Sequence, residues 1–391
     1  MINIKNKIFS CLFFPFSIPL LFITSCNNKN IPNCENIIVE HNTEFGGCNF
    51  LIKHNDLDKL GYKYGDSINI TISGNKLFND IPYYNNFYGY CGELIFIDYP
   101  LYEYLYFGEK SGEDIWDKYG LSDNSIATIS LNKAKKYLDI QNALSFEQSN
   151  DREDYNDDET FANFRKVKST KINNLYRGVT PCDPSYIRYK YADDLLHSTN
   201  IDYLISLNTN DTKLALLMDL AENENSYCKS LYNQSHYYAN NLTACYYSQD
   251  FLQKTKQIFE FIINEIINRN VTQQKVYIHC TEGKDRTGFI CFLIESICGC
   301  TYEEIKNDYL TSFVNFYKID INEINTRTNM LIKYYLNELF FAGVKAISDT
   351  AEHLEDWSHE DLKQISENYL LHAGLNQSDI DKIINFFTNQ N

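Results

Sequence analysis

The chain has 391 residues, 44% of them hydrophobic, enough to bury a substantial core, and its length suits about two domains. Its 52 acidic and 35 basic residues give a formal net charge of −17. That balance opposes long-range attraction to nucleic acid or an anionic bilayer, so an anionic substrate has to be held by local positive potential.

Residues 1–25 carry Lys5 and Lys7, then an apolar stretch from Ile8 to Leu21. The stretch is shorter than the ~20 residues of a comfortable membrane span, and with its charged start it reads as an export signal. "ITSC", ending at Cys26, resembles a bacterial lipobox, which implies diacylglycerol attachment at Cys26 after cleavage. The expected product is exported and lipid-anchored to the cell envelope, with residues 26–45 as a polar tether. A plain signal peptide releasing a secreted protein, or an uncleaved anchor, is the competing reading. Twelve cysteines in an exported chain suggest disulfides, and Cys34 with Cys48 closes the least awkward short loop.

Residues 46–145 read as a smaller N-terminal β-rich domain, with a partial barrel as one form of it. "SINITI" (Ser67 to Ile72) alternates polar and apolar residues, and "ELIFIDYP" (Glu93 to Pro100) and "SIATISL" (Ser125 to Leu131) are further strand patterns. "LNKAKKYLDIQNAL" (Leu131 to Leu144) has helical spacing. The acidic run from Ser149 to Thr160 reads as a solvated connection, since it lacks the ligand spacing of a calcium loop.

From residue 146 to 391 strands and helices alternate, which predicts an α/β domain. "NLYRGVTP" is extended, "IDYLISLN" (Ile201 to Asn208) is a buried strand, and Asp250 to Asn270 is an amphipathic helix. "KVYIHC" is the next strand and "TGFICFLIESICG" the next helix, placing any chemistry at a strand's carboxyl end. The remainder reads as helices, with Gly374 as a stop before the last one.

The stretch "HCTEGKDRTG" lies between that strand and that helix, with Arg286 six positions after Cys280. A cysteine and an arginine at this spacing mean little alone; the complete string carries the signal. A loop curled there turns successive backbone N–H groups toward one centre at a helix N-terminus, a nest for a tetrahedral dianion. Thr281, Glu282, Gly283, Lys284, Asp285, Arg286 and Thr287 are its expected phosphate-binding residues. Arg286 adds a planar fork able to hold two oxygens at once, and Gly283 and Gly288 permit close approach of the chain. The same field favours Cys280 as thiolate, poised to attack phosphorus in line. Thr287 offers a hydroxyl to the departing sulfur, and His279 is expected to orient rather than act as a base.

These residues resemble the cysteine-based protein tyrosine phosphatase superfamily, and within it the bacterial branch whose loop reads His-Cys-x-x-Gly-Lys-Asp-Arg-Thr-Gly. His279, Cys280, Gly283, Lys284, Asp285, Arg286, Thr287 and Gly288 all match. "LYRGVTP" is similar to the branch's opening segment and "YLLHAGLNQSDIDKI" to its usual end. The resemblance implies a three-layer catalytic fold and hydrolysis of phosphotyrosine, and of phosphoserine, phosphothreonine or phosphoinositides as well, with a phosphocysteine intermediate. It implies no metal or organic cofactor. Lys284 suits either more highly charged substrates or simple phosphate complementation.

Other members of the superfamily carry their proton donor on a separate Trp-Pro-Asp loop, which this chain lacks. Asp250, in "YYSQDFLQK", stands upstream without Trp-Pro before it; a helix-start residue is the expected reading there and the proton donor the competing one. The branch's proposed donor is Asp285, although Arg286 beside it favours the carboxylate, an effect that bound phosphate opposes. Arg177 reads either as a pocket residue or as half of a structural ion pair. A rhodanese-like or arsenate-reductase enzyme does not account for the full string. The alternative from another class is a catalytically silent, lipid-anchored binding or adhesion protein on the same fold.

Overall fold

The structure, a computed structural model, describes residues 31–388 except 44–45, 74–75, 101, 244, 270–272 and 324. The export signal and Cys26 lie outside the described residues. Among the described residues no helix is long and apolar enough to cross a membrane.

The N-terminal part closes into a barrel. Strands β1 (Cys34–His41), β2 (Cys48–Phe50), β3 (Ser67–Ile72), β4 (Lys76–Tyr84), β5 (Leu94–Ile97), β6 (Leu105–Glu109) and β7 (Ser125–Lys133) pair in the order β1-β2-β6-β5-β4-β3-β7. Alternation drives it: in β7, Ser125, Ala127 and Ile129 turn inward while Ile126 stands 43% exposed. β1 corrects the expected tether. Ile37 and Val39 are buried in the barrel and the strand pairs with β7, so residues before 46 belong to the barrel wall. The same register separates Cys34, beside Ile129, from Cys48, opposite His41 at the other end of β1; all ten described cysteines are unpaired. The helical pattern at 131–144 is also corrected, because β7 runs on to Lys133 and only Leu138–Leu144 is helical.

The second part is built on β8 (Arg165–Lys166), β9 (Leu175–Gly178), β10 (Tyr203–Ser206), β11 (Tyr237–Ala239) and β12 (Val276–His279), in the order β11-β10-β12-β9-β8. β9 to β12 are parallel and β8 is antiparallel to β9. Both faces are covered, so β10 and β12 are buried at every residue. Tyr203, Ile205, Val276 and Ile278 face one core, with the helices Gln249–Phe261, Asp285–Ile297, Leu362–His372 and Gln377–Thr388. Leu204 and Tyr277 face the other, with the helix Tyr189–Thr199. This is the expected three-layer α/β arrangement beside a smaller β-rich unit.

The two parts share buried surface. Tyr84, Tyr88, Cys91, Ile95, Ile97 and Tyr106 of the barrel belong to the same apolar cluster as the helix Asp285–Ile297. Buried Lys110 donates to the Tyr334 carbonyl at 3.0 Å, and the Tyr90 and Tyr334 rings lie 4.8 Å apart. In the acidic connection, Asp151 and Asp157 cap short helical turns and Arg152 pairs with Asp158 at 2.5 Å.

Candidate active site

β12 ends at His279 and delivers Cys280 to the top of the sheet, where the chain loops into the helix Asp285–Ile297. The alternation of the strand separates the two residues. Ile278 and Cys280 face the core on the helix side, and Cys280 is 4% exposed. His279 turns the other way, fully buried, and its Nε2 meets the Tyr237 hydroxyl at 2.9 Å. Burial lowers the His279 pKa to about 3, helped by the Arg286 charge and opposed by its contact with the Cys280 carbonyl. A ring kept neutral by burial and met at both nitrogens has the hydrogen bonds of an orienting residue.

The loop is anchored by its carbonyl oxygens. Thr281 O accepts from Thr180 N at 3.3 Å and Glu282 O from Asn163 Nδ2 at 2.9 Å. Arg177 Nη2 donates to Gly283 O at 2.9 Å and to Lys284 O at 3.1 Å. With four successive carbonyls bound outward, the amides of Thr281, Glu282, Gly283 and Lys284 find no backbone acceptor among the described residues. That is an anion nest in structural form. Gly283 is required there: its φ is +68°, and an added Cβ would lie 2.1 Å from the Gly178 carbonyl oxygen. Gly288 lets the helix approach Tyr309, whose ring would meet a Cβ at 2.6 Å.

Charge is distributed unevenly around this nest. Arg286, half-buried in the helix's first turn, touches only the Leu207 and Leu242 carbonyls, at 3.4 and 3.3 Å, and forms no ion pair among the described residues. Its fork is free for an anion. Lys284 is already engaged: its Nζ lies 3.1 Å from Glu282 and 3.8 Å from Asp285, donates to Tyr317 at 3.2 Å and sits over the Phe313 ring. Burial opposes the Lys284 charge, but Asp285, Glu282 and nearby tyrosines hold its pKa well above the ordinary value. Asp285 stands at the helix start with its side chain 48% exposed. The Thr287 hydroxyl is buried without a hydrogen-bond partner among the described residues.

Asp250 is not brought to the loop. It sits exposed in the first turn of the helix Gln249–Phe261, two residues after the Ser248 cap, paired with Lys254 at 2.8 Å. The preceding segment passes the loop through Leu242 and through Tyr246, stacked on Phe289 at 4.9 Å, and contains no carboxylate between Asn240 and Ser248. Arg177 resolves to the structural ion pair, 2.6 Å from Asp308 on the helix Tyr302–Tyr317.

Sequence reasoning missed the frame beneath the loop. Arg165 reaches Asp308 at 3.1 Å and Asn163 Oδ1 at 2.7 Å, and Asn163 in turn holds Glu282. Burial alone would raise the Asp308 pKa, but the two guanidiniums keep it below the ordinary range. A signal was present: Asp308 and Ser312 fall on the stripe of Ile305, Tyr309, Phe313 and Phe316, polar residues at core positions of a helix.

The family model described as the tyrosine phosphatase family matches residues 154–389. No curated protein matches the chain. Among solved structures, the chain is similar to the core catalytic domain of a PP-IP phosphatase from S. cerevisiae, solved in complex with citrate. The identity is 19%, the match covers 43% of this chain and 94% of that one, and the TM-score is 0.25. The family match takes in the anchored loop, its frame and the helices that cover both, over more than half of the sequence: the chain belongs to the tyrosine phosphatase family.

Proposed function

We propose that the protein is a cysteine-dependent phosphatase that hydrolyses phosphate monoesters, phosphotyrosine first among them, through a phosphocysteine at Cys280. The observation carrying this reading is the loop itself: four bound carbonyls, four free amides, an Arg286 without a carboxylate among the described residues, and a buried Cys280 at its start. Cys280 Sγ attacks phosphorus as the ester P–O bond breaks, and Asp285 gives its proton to the leaving oxygen. Water then attacks phosphorus, Asp285 takes a proton from it, and sulfur leaves as thiolate with orthophosphate as product. The amides and Arg286 hold the equatorial oxygens throughout.

Asp285 is favoured over Asp250 because it opens the helix that continues the loop, next to Arg286, while Asp250 lies on another helix and pairs with Lys254. The Asp285→Asn variant is expected to lose about 10- to 100-fold in turnover on phenyl phosphate, with little change in inhibition by orthophosphate; full turnover would remove Asp285 from the mechanism. No step requires a metal, so activity is expected to survive EDTA. The proposal includes export and a lipid anchor at Cys26, tested by whether Cys26→Ser moves the protein out of the membrane fraction. The non-catalytic alternative finds no support here, since both Cys280 and Arg286 stand in the loop.

A further inference from the structure

The frame beneath the loop holds one of its residues less firmly than the others. The carbonyls of Glu282, Gly283 and Lys284 accept from the Asn163 and Arg177 side chains, at 2.9, 2.9 and 3.1 Å. The Thr281 carbonyl accepts from a main-chain amide, Thr180 N, at 3.3 Å. Thr281 directly follows Cys280 and supplies the first free amide of the nest, so its orientation decides where the nest begins relative to the sulfur.

A second support reaches Thr281 from β10. That strand runs parallel to β12 with Ser206 beside His279, and Leu207 N donates to His279 O at 2.8 Å. The next residue, Asn208, therefore comes level with the start of the loop. Its Nδ2 donates to the Thr281 hydroxyl at 3.2 Å, while its Oδ1 accepts from the fully buried Ser206 hydroxyl at 3.0 Å. With its oxygen satisfied from below, the amide keeps its N–H groups toward Thr281. The adjoining Leu207 carbonyl meets Arg286 Nη1 at 3.4 Å. Residues 206–208 thus bear on both ends of the loop, Thr281 and Arg286, and do so with neutral groups. A carboxylate at this place would compete with the bound anion for Arg286.

We propose that Asn208 is a positioning residue for the bound phosphoryl group: through the Thr281 hydroxyl it sets the first amide of the nest against the oxyanion that Arg286 grips from the other end. The inference rests on the phosphatase reading above and adds to it a residue outside the loop. The Asn208 side chain bonds to Ser206 and Thr281 and to no other group among the described residues, so its effect on the anion passes through Thr281.

The test reads oxyanion binding apart from turnover. Orthophosphate is titrated against Cys280→Ser, alone and with Asn208→Ala, Thr281→Val or both added, and urea unfolding is followed for each. Asn208→Ala is expected to weaken orthophosphate about 3- to 10-fold, the size of one lost hydrogen bond. Thr281→Val is expected to do the same, and Asn208→Ala to add less than about twofold on top of it, because the two side chains act as one unit. Thr281→Ser keeps the hydroxyl and is expected to bind as the unsubstituted loop does and to restore the full effect of Asn208→Ala. Unchanged orthophosphate affinity in folded Asn208→Ala overturns the proposal, even where the urea midpoint falls, since that marks a structural role alone. Losses that multiply in the double variant overturn it as well. Absence of orthophosphate binding by Cys280→Ser itself removes the nest and the proposal together. Phosphate release by the Cys280-containing chain, measured in parallel, reports separately on the phosphatase reading.

Discussion

In β7 of the barrel, Ser125, Ala127 and Ile129 are turned inward and Ile126 outward, whereas in β12 of the sheet every residue is buried. The contents of the two interiors differ as much as their patterns. Inside the barrel, Phe50, Phe78, Phe96 and Phe107 meet largely edge to face among isoleucines. Beneath the loop, by contrast, Arg165, Arg177 and Asp308 are buried together, with Asn163 and Ser312 accepting from Arg165. An apolar interior needs only shape and burial to be stable. A buried charge cluster is a weaker source of stability, and here its Arg177 guanidinium holds two of the loop carbonyls, those of Gly283 and Lys284. One region sustains the fold, and the other positions a charged, shaped loop.

The largest effect expected from that contrast is at Asp308. Asp308→Ala leaves two buried guanidiniums unpaired and is expected to cost about 3–5 kcal/mol in urea unfolding, with loss of the loop's geometry. A cost under about 1 kcal/mol would show that the charge cluster does not frame the loop. In the barrel, Phe107→Ala removes a fully buried ring and is expected to cost about 3–4 kcal/mol. Because the two parts share a core, both halves are expected to unfold in one transition; separate transitions would mean that the shared cluster does not couple them.

His279 gives a smaller, pH-dependent effect. Its folded pKa, about 3, lies below the unfolded value of 6.5, so its contribution is complete above pH 6.5 and fades as pH falls toward 3. By pH 5 it should have removed about 2 kcal/mol, and His279→Asn should flatten that part of the stability profile. An unchanged slope in the variant would mean that the buried ring is not kept neutral. The smallest effect belongs to Asp250→Asn, which breaks an exposed pair with Lys254 and is expected to change stability by less than about 0.5 kcal/mol. A large loss of turnover in that variant would reopen it as the proton donor.

Legibility followed the range of the interactions. β12, the loop and the helix after it were readable because strand, glycine-bearing turn and helix follow one another in sequence. β3 was readable because "SINITI" alternates cleanly. β4 was not: Pro82 interrupts it, and its residues from Ile81 to Tyr84 are buried without alternation. β1 hid behind a polar lead-in, since only its pairing with β7, far along the chain, shows which of its residues face inward. The site divided the same way. Cys280, Arg286 and their neighbours stand in one short string, while Arg165, Arg177 and Asp308 meet across 143 and 131 positions of sequence.

The central claim is that Cys280 is the nucleophile of a phosphatase, and phosphate release tests it most directly. The chain downstream of Cys26, under reducing conditions with EDTA present, is compared with its Cys280→Ser variant on phenyl phosphate, phosphotyrosyl and phosphoseryl peptides and phosphoinositides. The account predicts steady release by the unsubstituted protein, greatest on phosphotyrosyl peptide, and none above background in the variant. Equal release by both, or none by either, would contradict it.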